Sequence, residues 1–337
     1  MAGIDLSIIW AVIIIFSIMM YVVMDGFDLG IGILFPFVQG REHRSIMMNT
    51  VAPIWDGNET WLVLGGAGLF GAFPLAYSVV LSALYLPLIF MLIGLIFRGV
   101  AFEFRFKVHE GKEGIWDKSF IVGSFLATFC QGVALGAFIN GIPVVNQQFA
   151  GDTLGWLSPF PLFCGLALIV AYALLGSTWL ILKTEGELQA RMRALTPALI
   201  VALVIITGIV SLWTPYTHPH IADRWFTVPN IFWFMPVPVL VLLASFLLFK
   251  SVKRDENHAK PFVLTLVLIF LGYSGLGISI WPYIIPPSVT IWDAASPVSS
   301  QLFLLIGTLF IIPMTLMYTA WGYYVFRGKV KSGEGYH

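Results

Sequence analysis

The chain has 337 residues, with 18 basic and 18 acidic side chains and a formal net charge of zero. Hydrophobic residues make up 58% and charged residues 11%, with a mean hydropathy of +0.89, whereas soluble domains carry about 25% charged residues. This excludes a soluble globular enzyme and, with no basic excess, a nucleic-acid binder; the chain belongs in lipid.

Apolar runs long enough to cross a ~30 Å hydrocarbon core at ~1.5 Å per residue fall at 7–37, 47–73, 76–98, 119–140, 161–183, 197–213, 230–249, 261–283 and 302–326. They predict an all-α membrane protein of nine transmembrane helices arranged as helical bundles, a single polytopic domain over 1–337. The first run is longer than one crossing needs, so it must tilt, kink or protrude. The sixth is interrupted by Pro197 and closed by Pro215. The opening MAGIDLSIIW has no basic n-region, and no small-residue cleavage site follows a short apolar core, so it reads as an uncleaved first helix.

Nine spans place Arg41, Arg44, Arg98, Arg105, Lys107, Lys112, Lys118, Lys183, Arg191, Arg193, Lys250, Lys253, Arg254, Lys260, Arg327, Lys329 and Lys331 on one side. That is 17 of the 18 basic residues, with Arg224 alone opposite. By the positive-inside rule the N-terminus is periplasmic and the C-terminus cytoplasmic. Cys130 and Cys164 fall inside predicted spans and read as small buried apolar residues, without zinc-like spacing. IWDGNETW (54–61) and IWDAASPVSSQ (291–301) share three letters, too few to establish an internal repeat.

Four carboxylic acids interrupt the first two spans. With the apex of the connection VQGREHRS at Glu42, Asp28 and Asp56 are each 14 residues away, and Asp25 and Glu59 each 17. The acids pair by depth, and within each helix a spacing of three puts them on one face. Four carboxylates in a membrane core cost roughly 10 kcal/mol on the insertion scale. Desolvation and mutual repulsion disfavour ionising all four together, so some should hold protons near neutrality. The plainer reading is structural: buried acids often only hydrogen-bond neighbouring helices or Trp N–H groups. A matched set of four exceeds what that need ordinarily takes.

The surroundings suit close packing. DGFDLG supplies Gly26 and Gly30 in GxxxG spacing, and Ala67, Gly68, Gly71 and Ala72 give small-residue pairs on the second span. Trp55 and Trp61 flank the acids, as space-fillers or N–H donors, and Trp61 could narrow a cavity beside Asp56. His43, His109, His218, His220, His258 and His337 all fall in connections or the tail. A chain that ligated haem within the membrane would offer a histidine there, so any haem belongs to another subunit.

MDGFDLGIGILFPF (24–37), APIWDGNETWLVLGGAGLFGAFPLAYS (52–78), FRGVAFEFRFK (97–107), GSFL (123–126) and WDAASPVSSQ (292–301) resemble subunit II of the bacterial cytochrome bd-type quinol oxidases. The short chain, with compact outer connections, is similar to the cyanide-insensitive branch. The resemblance implies a subunit of a respiratory terminal oxidase in the bacterial inner membrane, coupling quinol oxidation to reduction of dioxygen to water. It implies no direct catalytic residue and no metal ligand here. A partner subunit I would carry haem b together with haem d, or haem b only, and the quinol site. A bound quinone, membrane lipid and a small single-helix accessory subunit are further partners that it suggests. It assigns Asp28 and Asp56 to a proton pathway, with Asp25 and Glu59 as neighbours, and Trp61 to the border of an oxygen channel. Two positions depart from the family pattern: Glu59, in place of a neutral amide, and Glu103 in FEFR, in place of an aspartate. Glu103, near Arg98 and Arg105, reads as part of a cytoplasmic-surface ion pair.

The rival reading is a cation- or proton-coupled transporter, for which paired intramembrane carboxylates are equally natural. A third is a scaffold subunit without chemistry of its own.

Overall fold

The computed structural model describes residues 5–109, 111–254 and 257–331. Its first helix, α1 (Leu6–Leu34), starts where the Asp5 carboxylate accepts from the backbone N–H groups of Ser7 and Ile8, satisfying donors that have no partner within the helix. It runs into a single 3-10 turn, Phe35–Phe37. From Asp25 to Phe35 every residue of this segment is buried.

The second predicted span is divided. A short helix, α2 (Arg41–Asn49), follows Gly40 at φ +93°, and residues 50–54 turn before α3 (Trp55–Ala72) begins. The tight hairpin expected between spans one and two is therefore a helical connection. Eight helices are long and apolar enough to cross a membrane among the described residues. α3 is not counted with them: its first turns carry Asp56, Asn58 and Glu59, which dilute its apolar character.

α4 (Pro74–Arg105) is longer than expected and is kinked at Leu84. Pro87 lies just beyond that residue, and its missing N–H and its ring disturb the preceding turn. Because α4 continues past 98, Arg98 sits inside a helix rather than in a connection. α5 (Gly114–Asn140) and α6 (Pro159–Lys183) follow, joined by a hairpin of β1 (Val144–Val145) and β2 (Gln148–Phe149). α7 (Gly186–Thr217) begins well before the predicted 197, carrying Pro197 in its interior. Then come α8 (Pro219–Phe226), α9 (Asn230–Phe234), α10 (Pro236–Val252) and α11 (Ala259–Ile280). A second hairpin, β3 (Tyr283–Ile285) with β4 (Val289–Thr290), leads to α12 (Val298–Val325). The Ile142 N–H donates to the Pro286 carbonyl at 3.3 Å, so both hairpins meet at one end of the bundle.

α1 packs against α3, α5 and α6, and α4 lies beside α5. The expected close approach at Gly30 is present: a Cβ there would lie 1.9 Å from the Tyr172 carbonyl oxygen, and one at Gly176 would lie 2.5 Å from the Gly30 carbonyl carbon. The two backbones of α1 and α6 thus touch where a side chain on either would separate them. Gly26 serves the same crossing, with the Tyr172 ring 2.9 Å from its missing Cβ. α7 and α11 pack against α6, and α10 packs against α7 and α11. α12 leans on α3 and α1 and is otherwise largely exposed. Cys130 and Cys164 are buried and free.

Candidate functional site: a buried cluster of carboxyls around one arginine

α3 presents a stripe of buried residues to the bundle: Asn58, Trp61, Gly65, Gly68 and Ala72, spaced three and four apart as one helix face requires. At about 100° per residue, Asp56 lies about 160° around the helix from Asn58. Asp56 is accordingly exposed. The sequence pairs Asp28 with Asp56; the structure does not bring those two side chains together. Asn58 takes the place opposite Asp28, its amide donating to Asp28 Oδ2 at 2.8 Å and to the Met24 carbonyl at 3.3 Å.

The other predicted pair does converge, through a residue that sequence reasoning assigned elsewhere. Arg98 reaches in from α4 and donates through one terminal nitrogen to Asp25 Oδ1 and through the other to Glu59 Oε1. The side chains of Arg98 and Asp25 are fully buried, and that of Glu59 is 27% exposed. Trp55 borders the guanidinium, 6.0 Å from its ring centroid, and stacks on Phe102 at 5.3 Å. Two carboxyl groups from two helices therefore share one guanidinium in the interior, with Asp28 buried nearby on α1, where a charge lacking a close opposite partner is costly.

Polar side chains extend from this centre in two directions. Tyr323 on α12 donates its hydroxyl hydrogen to Asn58 Oδ1 at 2.9 Å. On the other flank, Tyr172 donates to Gln131 Oε1 at 3.0 Å, and Gln131 donates to the Tyr21 oxygen at 2.6 Å. Tyr21 stands one turn before Asp25 on α1. Asp25 Oδ2 and Asp28 Oδ1 are buried, with no hydrogen-bond partner among the described residues. Trp61 is fully buried, with Phe16 edge-on against it at 5.7 Å.

Arg98 and Arg105 do not form a surface pair with Glu103. Glu103 bonds Lys107 at 3.0 Å on the exposed face of α4. Arg105 turns inward to Asp117 at 2.5 Å, and Arg44 holds the same carboxylate at 2.9 Å. The available signal was spacing: Arg98 and Arg105 are seven residues apart, hence on one helix face two turns from each other. Tyr323 carried no local signal, since its partner is 265 residues away.

Among the described residues, no group of three His, Cys, Asp or Glu side chains is placed to hold a metal ion. His43, His109, His218, His220 and His258 lie outside the eight apolar helices.

The whole helical core, residues 6–326, matches the family described as cytochrome bd terminal oxidase subunit II. The chain belongs to that family. It is 31% identical to cytochrome bd-I ubiquinol oxidase subunit 2 of Escherichia coli K12, over 96% of this chain and 95% of the relative. It is 28% identical to cytochrome bd ubiquinol oxidase subunit 2 of Bacillus subtilis 168, over 96% and 97%. The fold is similar to a chain of the bd oxidase from Geobacillus thermodenitrificans, with a TM-score of 0.80 at 17% identity over 96% of this chain and 98% of that one. The subunit II assignment makes this a multi-pass protein of the bacterial inner membrane and one component of a quinol oxidase complex. Membership implies a subunit I partner, with the haems on that partner. Between the oxidase and transporter readings, the family match decides for the oxidase.

Proposed function

We propose that this subunit II carries protons toward the haem-bearing subunit I through the cluster of Asp25, Asp28, Glu59 and Arg98. Reduction of dioxygen to water consumes protons, and a charge crosses a low-dielectric core only along titratable groups or water. The haems supply electron transfer and oxygen reduction on the partner. In this chain Asp28 would take up and release the proton at a carboxyl oxygen, beside Asp25 and Glu59, which Arg98 holds.

One observation carries the reading: two carboxyls hold the single guanidinium, and a third, the buried Asp28, receives only a neutral amide donor. A purely structural ion pair needs one acid per base; the additional carboxyl is the feature a proton carrier requires. Asp56, exposed at the start of α3, would serve as the contact of this route with subunit I or with the membrane surface. Trp61, sealed between α1 and α3, would line an oxygen passage; dioxygen is apolar and needs no charged partner. With α3 counted as a ninth span, the N-terminus is periplasmic and the C-terminus cytoplasmic, a reading supported by 16 of the 18 basic residues gathering on one side, with Arg224 opposite and Arg98 buried in the interior. Haem b with haem d or haem b alone on subunit I, a bound quinone and a small accessory subunit remain part of this proposal through the family resemblance.

The test is oxygen consumption by the purified complex, driven by quinol, in Asp28→Asn and Asp56→Asn variants whose optical spectra show full haem content. Both should turn over more slowly than the unaltered complex, the buried Asp28 variant by the larger factor. Unaltered turnover in a fully assembled Asp28→Asn complex would remove the route.

A further inference from the structure

Resting on the proton-route reading, we infer that Tyr323, on the last helix, is a positioning residue that fixes Asp28 for proton exchange by locking the Asn58 amide. Asn58 is 1% exposed, and its amide group is fully used. Its Oδ1 accepts from the Tyr323 hydroxyl at 2.9 Å, and its Nδ2 donates to Asp28 Oδ2 at 2.8 Å and to the Met24 carbonyl at 3.3 Å. Turning the amide over would set a carbonyl oxygen against the Asp28 carboxyl and the Met24 carbonyl, acceptor facing acceptor, in a buried site where such mismatches are costly. The Asp28 carboxyl and the Met24 carbonyl therefore select the orientation, and the Tyr323 hydroxyl adds the bond on the amide oxygen that holds the side chain in place.

The amide also decides where a proton can go. A side-chain amide neither releases nor takes up a proton readily, so the Tyr323–Asn58 arm cannot conduct; it clamps. The opposite arm is also interrupted by an amide, that of Gln131, between the hydroxyls of Tyr172 and Tyr21. With Asp28 Oδ2 held by Asn58, the oxygen left for a proton is Asp28 Oδ1, which has no hydrogen-bond partner among the described residues. The step is a simple exchange: the O–H bond forms at Oδ1 when a proton arrives and breaks when it leaves, with no change of oxidation state. Around Asp28 stand Asp25 on α1, Glu59 and Asn58 on α3, Arg98 on α4 and Tyr323 on α12. Tyr323 acts on the carboxyl through Asn58, from α12, a helix otherwise largely exposed.

The experiment uses the assembled oxidase with Tyr323→Phe, which removes only the hydroxyl. Tyr324→Phe, at a neighbouring residue 57% exposed, is the control. The C=O stretch of the Asp28 carboxyl is identified in the infrared difference spectrum between reduced and oxidised complex by its loss in Asp28→Asn. In Tyr323→Phe we expect unchanged haem content, a displaced Asp28 band and oxygen consumption lowered about three- to tenfold, the factor for one misaligned hydrogen bond. Tyr324→Phe should change none of these. An Asp28 band that stays in place in Tyr323→Phe overturns the inference, as does a fall in turnover that only tracks lost haem, which would make the bond a stitch for α12. The absence of any band removed by Asp28→Asn overturns it too. Full turnover in Asp28→Asn would instead sink the route itself, whereas slow Asp28→Asn beside unaffected Tyr323→Phe would sink only the positioning role.

Discussion

Replacing Arg98 by Met leaves Asp25 and Glu59 without their shared cation, and the cost follows from the geometry. Removing one partner of a buried ion pair typically costs about 3–5 kcal/mol, because the remaining charge is stranded. The carboxyls have an escape, which is to take up protons. For a carboxyl with an ordinary value near 4, protonation at pH 7 costs about 4 kcal/mol, at ~1.4 kcal/mol per pH unit, so the two routes give the same scale. Asp25, fully buried, should account for most of it; Glu59 is 27% exposed and partly screened by water. Adding Asp25→Asn and Glu59→Gln to Arg98→Met removes every stranded charge, and neutral replacements of whole buried pairs are commonly tolerated. The expected order of stability is therefore Arg98→Met lowest, Arg98→Met with Asp25→Asn recovering most of the loss, and the triple variant near the unaltered protein. The deficit of the single variant should shrink as pH falls, since each unit makes protonation easier. The assay is the half-life of the purified complex at fixed temperature and detergent, followed by haem absorbance at two pH values. If Arg98→Met and the triple variant are equally unstable at both, the guanidinium acts by shape and the electrostatic account is wrong.

Gly30→Ala should block assembly or cost ~3 kcal/mol or more, because its Cβ would meet the rigid Tyr172 carbonyl at 1.9 Å; Gly66→Ala, where nothing lies within 4 Å, should be silent. Thermal stability and haem content of the two purified complexes check the contrast. At the other end of α1, the Trp292 indole N–H and the N–H groups of Ile8 and Ser7 hold the Asp5 carboxyl below its usual value of 3.8. A depressed folded value means that the cap contributes above the unfolded value and is lost as pH falls through the folded one. Hydrogen exchange at the Ser7 and Ile8 amides should accordingly rise, relative to the intrinsic rate, as pH drops below 3.8, and Asp5→Ala should abolish that dependence.

Long apolar runs were legible because nothing else explains them: 161–183 corresponds to α6 (Pro159–Lys183) and 302–326 to α12 (Val298–Val325). Errors fell where proline or charge reads as an end but the helix continues. Pro197 lies within α7, whose buried Leu188, Met192, Thr196 and Ile200 repeat every four residues across it, so packing outweighs the one backbone bond that proline removes. Arg98 reads from the sequence as the edge of a span, since a cation in the membrane is expensive; in the structure two acids from other helices meet it. The four acids announced the site, yet counting from Glu42 could not say which of them face inward. That depends on the rotation of α3, visible in the buried spacing of Asn58, Trp61, Gly65, Gly68 and Ala72.

The rotation of α3 also divides the labour within the site. Had Asp56 faced α1, Asp28 would oppose another carboxyl, and like charges would compete for one proton. With Asn58 there instead, Asp28 has a neutral donor on one oxygen and, on the other, no hydrogen-bond partner among the described residues. Asp25 and Glu59, each bonded to a guanidinium nitrogen, are held by a full positive charge, and releasing either would strand Arg98. In the proposed route, the carboxyls tied to Arg98 therefore set a fixed field, and Asp28 is the group free to alternate. Neutral replacements should then separate in kind: Asp25→Asn damages stability before turnover, whereas Asp28→Asn damages turnover in a complex that still folds, because Asp28 balances no cation.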